Sequence, residues 1–137
     1  MAKESGLGMT FTVDDSTGSG QAISNDVTSI AWTMPSGVQD VTGINSSGME
    51  RLLLLADLTM TPTGVFNDAS SLSFQVFKNY RTLAASQVGR TSAIAISGQT
   101  LSDEILYSDF SFTRAADGSF TWSAPGSLSD GGVPAWA

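Results

Sequence analysis

Histidine and cysteine are both missing from this sequence. Their absence excludes disulfides, Cys/His zinc sites, thiol nucleophiles and Ser-His-Asp triads. Basic residues are scarce as well: six Lys and Arg stand against thirteen Asp and Glu, for a net charge of −7. They form no cluster, which argues against a protein that grips phosphate backbones through counterion release. No apolar run approaches the ~20 residues of a membrane helix. The opening MAKESGLGMT lacks the charged-then-apolar order of a secretion signal. The expectation is a protein made and used in the cytoplasm, with no membrane partner.

What is present is hydroxyl-rich and moderately apolar. Charged residues reach 14% against a usual ~25%, while Ser, Thr and Gly are abundant. Such a composition suits β-rich chains whose surfaces are covered by other subunits, and also extracellular β-domains. A length of 137 residues fits one domain, residues 1–137, since domains most often span roughly 100–150 residues.

The most strongly patterned stretch runs from Asp40 to Asn67. A polar loop leads into an apolar run, Leu52 to Ala56, and the span Met49 to Ala56 reads equally as a short helical stretch or the start of a strand. In the strand that follows, Asp57 to Phe66, Leu58 and Met60 face one way and Thr59, Thr61 and Thr63 the other. Pro62 and Gly64 within it suit an edge or a bulge.

Elsewhere the signals are shorter. Residues 1–8 form an arm that orders against a partner. Met9, Phe11 and Val13 alternate with threonines, and Asp14 and Asp15 close that strand. Ile30, Trp32 and Met34 oppose Ser29, Ala31 and Thr33 until Pro35. Residues 36–48 read as a long loop whose Val38, Val41 and Ile44, near Asp40, must dock on something. Asp68 caps a short helix from about Ala69 to Asn79. Strands follow at Arg90–Ser97, Glu104–Arg114 and Ser119–Ala124, the last two joined by an Asp117-Gly118 turn. In the arm of residues 125–137, Val133 and Trp136 need a surface, expected on a neighbouring subunit. Six or seven strands and one flanking helix give a mainly β fold, an antiparallel sandwich or barrel.

No catalytic, cofactor-binding or metal-ligating residue emerges. Asp14 with Asp15, and Asp103 with Glu104, are neighbours whose side chains diverge on a strand. Asp109 falls inside the Glu104–Arg114 strand, so its face must be wet or paired with Arg51, Arg90 or Arg114. SSGMER lacks the pattern of a phosphate loop. Trp32, Trp122 and Trp136 fit core packing better than sugar stacking.

The order of features is more telling. A strand is followed by a long loop containing Asp40-Val41-Thr42-Gly43, then SSGMERLLLLAD and a strand ending in the Thr63–Asp68 turn. A helix comes next, then a strand pair closing in a Phe/Trp hairpin. Over roughly Gln21 to Gly126 this resembles the tail tube proteins of long, flexible-tailed bacteriophages. The resemblance implies hexameric rings, stacked so that inner strands join in one β-barrel around the channel for DNA ejection. It implies Asp57, Thr59, Thr61, Thr63, Ser29 and Thr33 facing the lumen, with the 36–48 loop between rings. The implied partners are other copies, a tape measure protein, and tail terminator and tip proteins. DNA passes unbound, the protein resides in the virion tail, and no enzymatic activity or cofactor is expected. A capsid decoration or head-to-tail connector protein, and a carbohydrate-binding β-sandwich module, are the rival readings.

Overall fold

A computed structural model describes residues 3 and 5–137, so Met1, Ala2 and Glu4 of the expected arm lie outside the described residues. The fold is mainly β, a curled antiparallel half-barrel with one short helix. Its centre is β6, Thr59–Val65, in which Met60, Pro62 and Gly64 are buried and the three threonines between them half-buried. One edge of β6 pairs with β3, Val27–Thr33. Along the other edge its second half pairs with β10, Phe120–Ser123, and its first half with β11, Gly126–Leu128.

That split sends the sheet in two directions. Through β10 it continues to β9, Ser111–Arg114. Through β11 it continues to β8, Gln99–Tyr107, then β7, Arg90–Ile96, β1, Thr10–Asp14, and β2, Gly20–Ala22. Pro62 therefore occupies a central strand, not the edge its lack of an N–H suggested. Its carbonyl accepts the Ala124 N–H at 3.1 Å, so its backbone polar side faces the corner where β10 gives way to β11. The missing donor falls at that break in the ladder.

The core lies inside the curl. Phe11 and Val13 of β1, Ile94 of β7, Leu101, Ile105 and Tyr107 of β8, Met60 and Trp122 are all buried. The helix α1 closes one side, but it is only Ser73–Phe77, shorter than the Ala69–Asn79 expectation. Asp68 does not cap it. A turn at residues 70–72, with Ser71 at φ 64°, delays the helix, and its cap comes from far along the chain. The buried Asp26 carboxylate accepts the Ser73 N–H at 3.2 Å and the Asn67 side-chain amide at 3.0 Å.

The other end of α1 is held by Arg90, 1% exposed on the core face of β7. Its guanidinium donates to the carbonyls of Asn79 at 2.7 Å, Thr82 at 3.1 Å and Val76. Val76 belongs to the last turn of α1, whose carbonyls lack partners within the helix, and Asn79 and Thr82 belong to the turns that follow. Burial lowers the pKa of Arg90, while Asp15, Tyr107 and Asp14 oppose that shift. Arg90 is thus a structural clamp and not a partner for Asp109. Asp109 is exposed and accepts the Phe110 N–H. It sits in a break, because the expected Glu104–Arg114 strand is two strands, β8 and β9, separated at residues 108–110.

The region expected to be a loop at 36–48 opens as strand. Ser36–Asp40 forms β4, and Arg51–Ala56 forms β5, which resolves the ambiguous leucine run as strand. The two pair antiparallel as a separate two-stranded sheet.

Candidate assembly interface

The predicted lumen residues converge on one face. Along the β3–β6 pair, Ser29 lies opposite Thr63, Ala31 opposite Thr61 and Thr33 opposite Thr59. The last pair share a hydroxyl–hydroxyl bond of 2.7 Å. Asp57 continues that side of β6 at its N-terminal end, exposed, its N–H donating to the Pro35 carbonyl at 2.8 Å.

Four hydroxyls on this face were not anticipated. Ser123 is opposite Thr63 and Ser111 opposite Ser123, while Thr113 is opposite Thr121. Directly opposed residues share a face, so a row Ser29–Thr63–Ser123–Ser111 crosses four strands without interruption. The alternation of Thr121 and Ser123 against Trp122 was the available signal. Reading through residues 108–110 as continuous strand concealed it, since that put Ser111 on the face of buried Tyr107.

The same four strands end in two open edges. Among the described residues β3 pairs with β6 alone and β9 with β10 alone. On the side opposite the hydroxyls, β9 and β10 carry a chain of aromatic rings. Phe112 stacks on Phe120 at 5.2 Å and meets Phe110 at 4.6 Å, and Phe66 joins at 5.1 Å from Phe120. Phe66, Phe112 and Phe120 are each more than a third exposed.

The β4–β5 hairpin is the second exposed feature. It extends the β3–β6 pair past Pro35 and Asp57, so residues 27–65 form one long ribbon. Leu53, Leu55 and Ile44 are 77%, 90% and 109% exposed, and Val38, Val41, Leu52, Leu54 and Met49 are exposed too. Its tip is nonetheless built. The Asp40 carboxylate accepts the Thr42 N–H at 2.9 Å and hydroxyl at 2.6 Å, which lowers its pKa, and the Glu50 N–H donates to the Thr42 hydroxyl at 2.8 Å. A two-stranded hairpin is marginal in water, and apolar side chains on both of its faces call for a covering surface.

No family model and no curated protein matches the sequence. Solved structures do match. A chain in the virion of a native gene transfer agent particle superposes with a TM-score of 0.72 at 14% identity, covering 98% of this chain and 99% of that chain. A chain in the tail of an empty gene transfer agent particle, a structure with C6 symmetry, gives 0.71 at 17% identity, covering 98% of each. The fold is that of a virion tail chain.

Within this fold the last residues fold back on their own chain. Trp136 bridges to Leu101, Ala137 and Thr100 exchange backbone hydrogen bonds at 2.8 and 2.9 Å, and the Trp136 ring sits 6.1 Å from Trp32. Trp136 thus has an internal partner where a neighbour was expected, although Val133 is 79% exposed. With Trp122 buried and Trp32 against Trp136, the three indoles form no flat sugar-stacking platform.

The carboxylates of this fold are dispersed. Among the described residues no three His, Cys, Asp or Glu converge to hold a metal. Asp103 and Glu104 both lie within β8. Burial, with Asp130 and Glu104 nearby, pushes the pKa of Asp103 up.

Proposed function

We propose that this chain is a tail tube subunit: six copies form a ring, rings stack, and their four-stranded sheets join into one barrel around a channel for DNA. The observation that carries this reading is the sheet β3–β6–β10–β9, with a hydroxyl face and an open strand at each side. Its strands alternate in direction and are even in number. The β9 of one copy therefore runs antiparallel to the β3 of the next, and the ladder can continue around a ring with no parallel joint. Closure removes both edges, the standing hazard of an open sheet. The C6 symmetry of the similar tail structure supports six copies.

On this reading, the hydroxyl rows line the bore and Asp57 adds acid at its end. A wall without basic side chains lets DNA slide because no counterions are released on contact. The leucine-rich hairpin, with Val38, Asp40, Val41 and Ile44, reaches to the adjacent ring, and Val133 adds an exposed apolar side chain in the C-terminal arm. The subunit resides in the virion tail after assembly in the host cytoplasm, as a structural protein and not an enzyme. A tape measure protein inside, and terminator and tip proteins at the ends, are its partners.

Negative-stain microscopy of the purified protein tests this. Tubes of uniform bore are the expected result. Isolated rings would indicate a connector instead, trimers a decoration protein, and monomers at every concentration would refute assembly altogether.

A further inference from the structure

We infer, resting on the ring proposed above, that Phe112 of one copy fills a pocket beside β3 of the next and so fixes the register of the joint. The pocket has a volume of about 240 Å³; residues 6–11 form one wall and Val27, Thr28, Ser29 and Ile30 the other. The irregularity between Val27 and Ser29 adds a residue to β3, so Val27 and Ile30, opposite Gly64 and Pro62, lie on the face of Trp122 and line the pocket together. Among the described residues β3 has β6 on one side and no strand on the other, so a side chain of the next copy can reach this pocket across the open edge. Leu7, Met9, Phe11, Val27 and Ile30 give it an apolar part, beside the hydroxyls of Thr10, Ser24, Thr28 and Ser29.

Phe112 is the side chain placed to enter. It lies on the last strand of the four-stranded sheet, on the face of Trp122, directly opposite it. When two copies join with hydroxyl faces aligned, that face becomes continuous with the face of Ile30. The ring is 38% exposed, yet Phe110 and Phe120 hold it in place at 4.6 and 5.2 Å. Little side-chain freedom is left to lose on docking. The space suffices, since a cavity of ~150 Å³ admits a benzene ring. Main-chain pairing alone tolerates slippage by two residues; one phenyl in one pocket does not.

The absence of native cysteine makes a clean test possible. In the variant F112C/I30C, the two positions within a chain are separated by β6 and β10, about 14 Å at ~4.8 Å per strand, beyond disulfide reach. Oxidation, or a short bis-maleimide, applied to assembled tubes should give a covalent ladder ending at six copies on a non-reducing gel. Phe112→Ser should keep the monomer's circular dichroism and raise the concentration needed for assembly at least tenfold, with Phe112→Leu partly restoring it. Tubes that form normally from F112C/I30C but yield monomer with both reagents would overturn the inference and leave the tube reading standing. So would unaltered assembly of Phe112→Ser, or an A2C/I30C variant whose bond closes within one chain in tubes. Failure of the unmodified protein to form any ring refutes the tube itself.

Discussion

Gly64 marks where β3 is pinned to β6. A Cβ built there would lie 1.9 Å from the Asp26 carbonyl oxygen and 3.0 Å from the Trp122 ring. The close approach occurs beside the irregularity between Val27 and Ser29, and the same Asp26 caps α1 through its side chain. Gly64→Ala must therefore shift backbone at a point that serves both strand and helix. We expect a loss of about 3 kcal/mol, the upper end of overpacking costs, read as a lower urea midpoint with unchanged slope. A midpoint within error of the unmodified protein would contradict the crowding. The sequence marked residue 64 as irregular but gave no hint of the reason, because the obstructing carbonyl belongs to a distant segment. Arg90 teaches the same lesson. The sequence offered it as a possible partner for Asp109, yet its partners are backbone carbonyls, which no sequence pattern advertises.

At the level of elements, periodicity was readable where one face is wet and the other dry. The threonines of β6 alternate with buried residues as expected, and with Ser29 and Thr33 they form the candidate wall. The β4–β5 hairpin was not readable for the converse reason. Leu52 to Leu55 are apolar on both faces, so they carry no period, and the Gly- and Ser-containing tip resembles an ordinary loop. The exposure of those leucines makes their role separable from folding. Leu53→Ser with Leu55→Ser should change monomer stability by less than ~0.5 kcal/mol, as exposed substitutions do. On the proposed reading, it should shorten tubes to single rings, visible by negative stain and sedimentation. Full-length tubes from this variant would show that the hairpin does not join rings.

At the scale of the whole molecule, the topology escapes sequence reasoning because β3, β10 and β11 all meet on one strand, and nothing local announces that convergence. Charge is easier to read. Each copy carries −7, so gathering six raises mutual repulsion that dissolved ions relieve. The screening length falls from about 30 Å at 0.01 M salt to about 8 Å at 0.15 M. The concentration at which assembly begins, followed by light scattering, should fall across that range. A nucleic-acid-gripping assembly would show the opposite trend for its ligand, and a rise here would argue against like-charged surfaces meeting. The ribbon of residues 27–65 has a mechanical meaning too. Its stem is woven into the four-stranded sheet and its tip projects about 20 Å beyond Pro35 at ~3.3 Å per strand residue. The Asp57–Pro35 hydrogen bond ties its two arms together where hairpin meets sheet, so once a neighbouring ring holds the tip, a push on Ile44 would be carried along the ribbon to Thr59, Thr61 and Thr63.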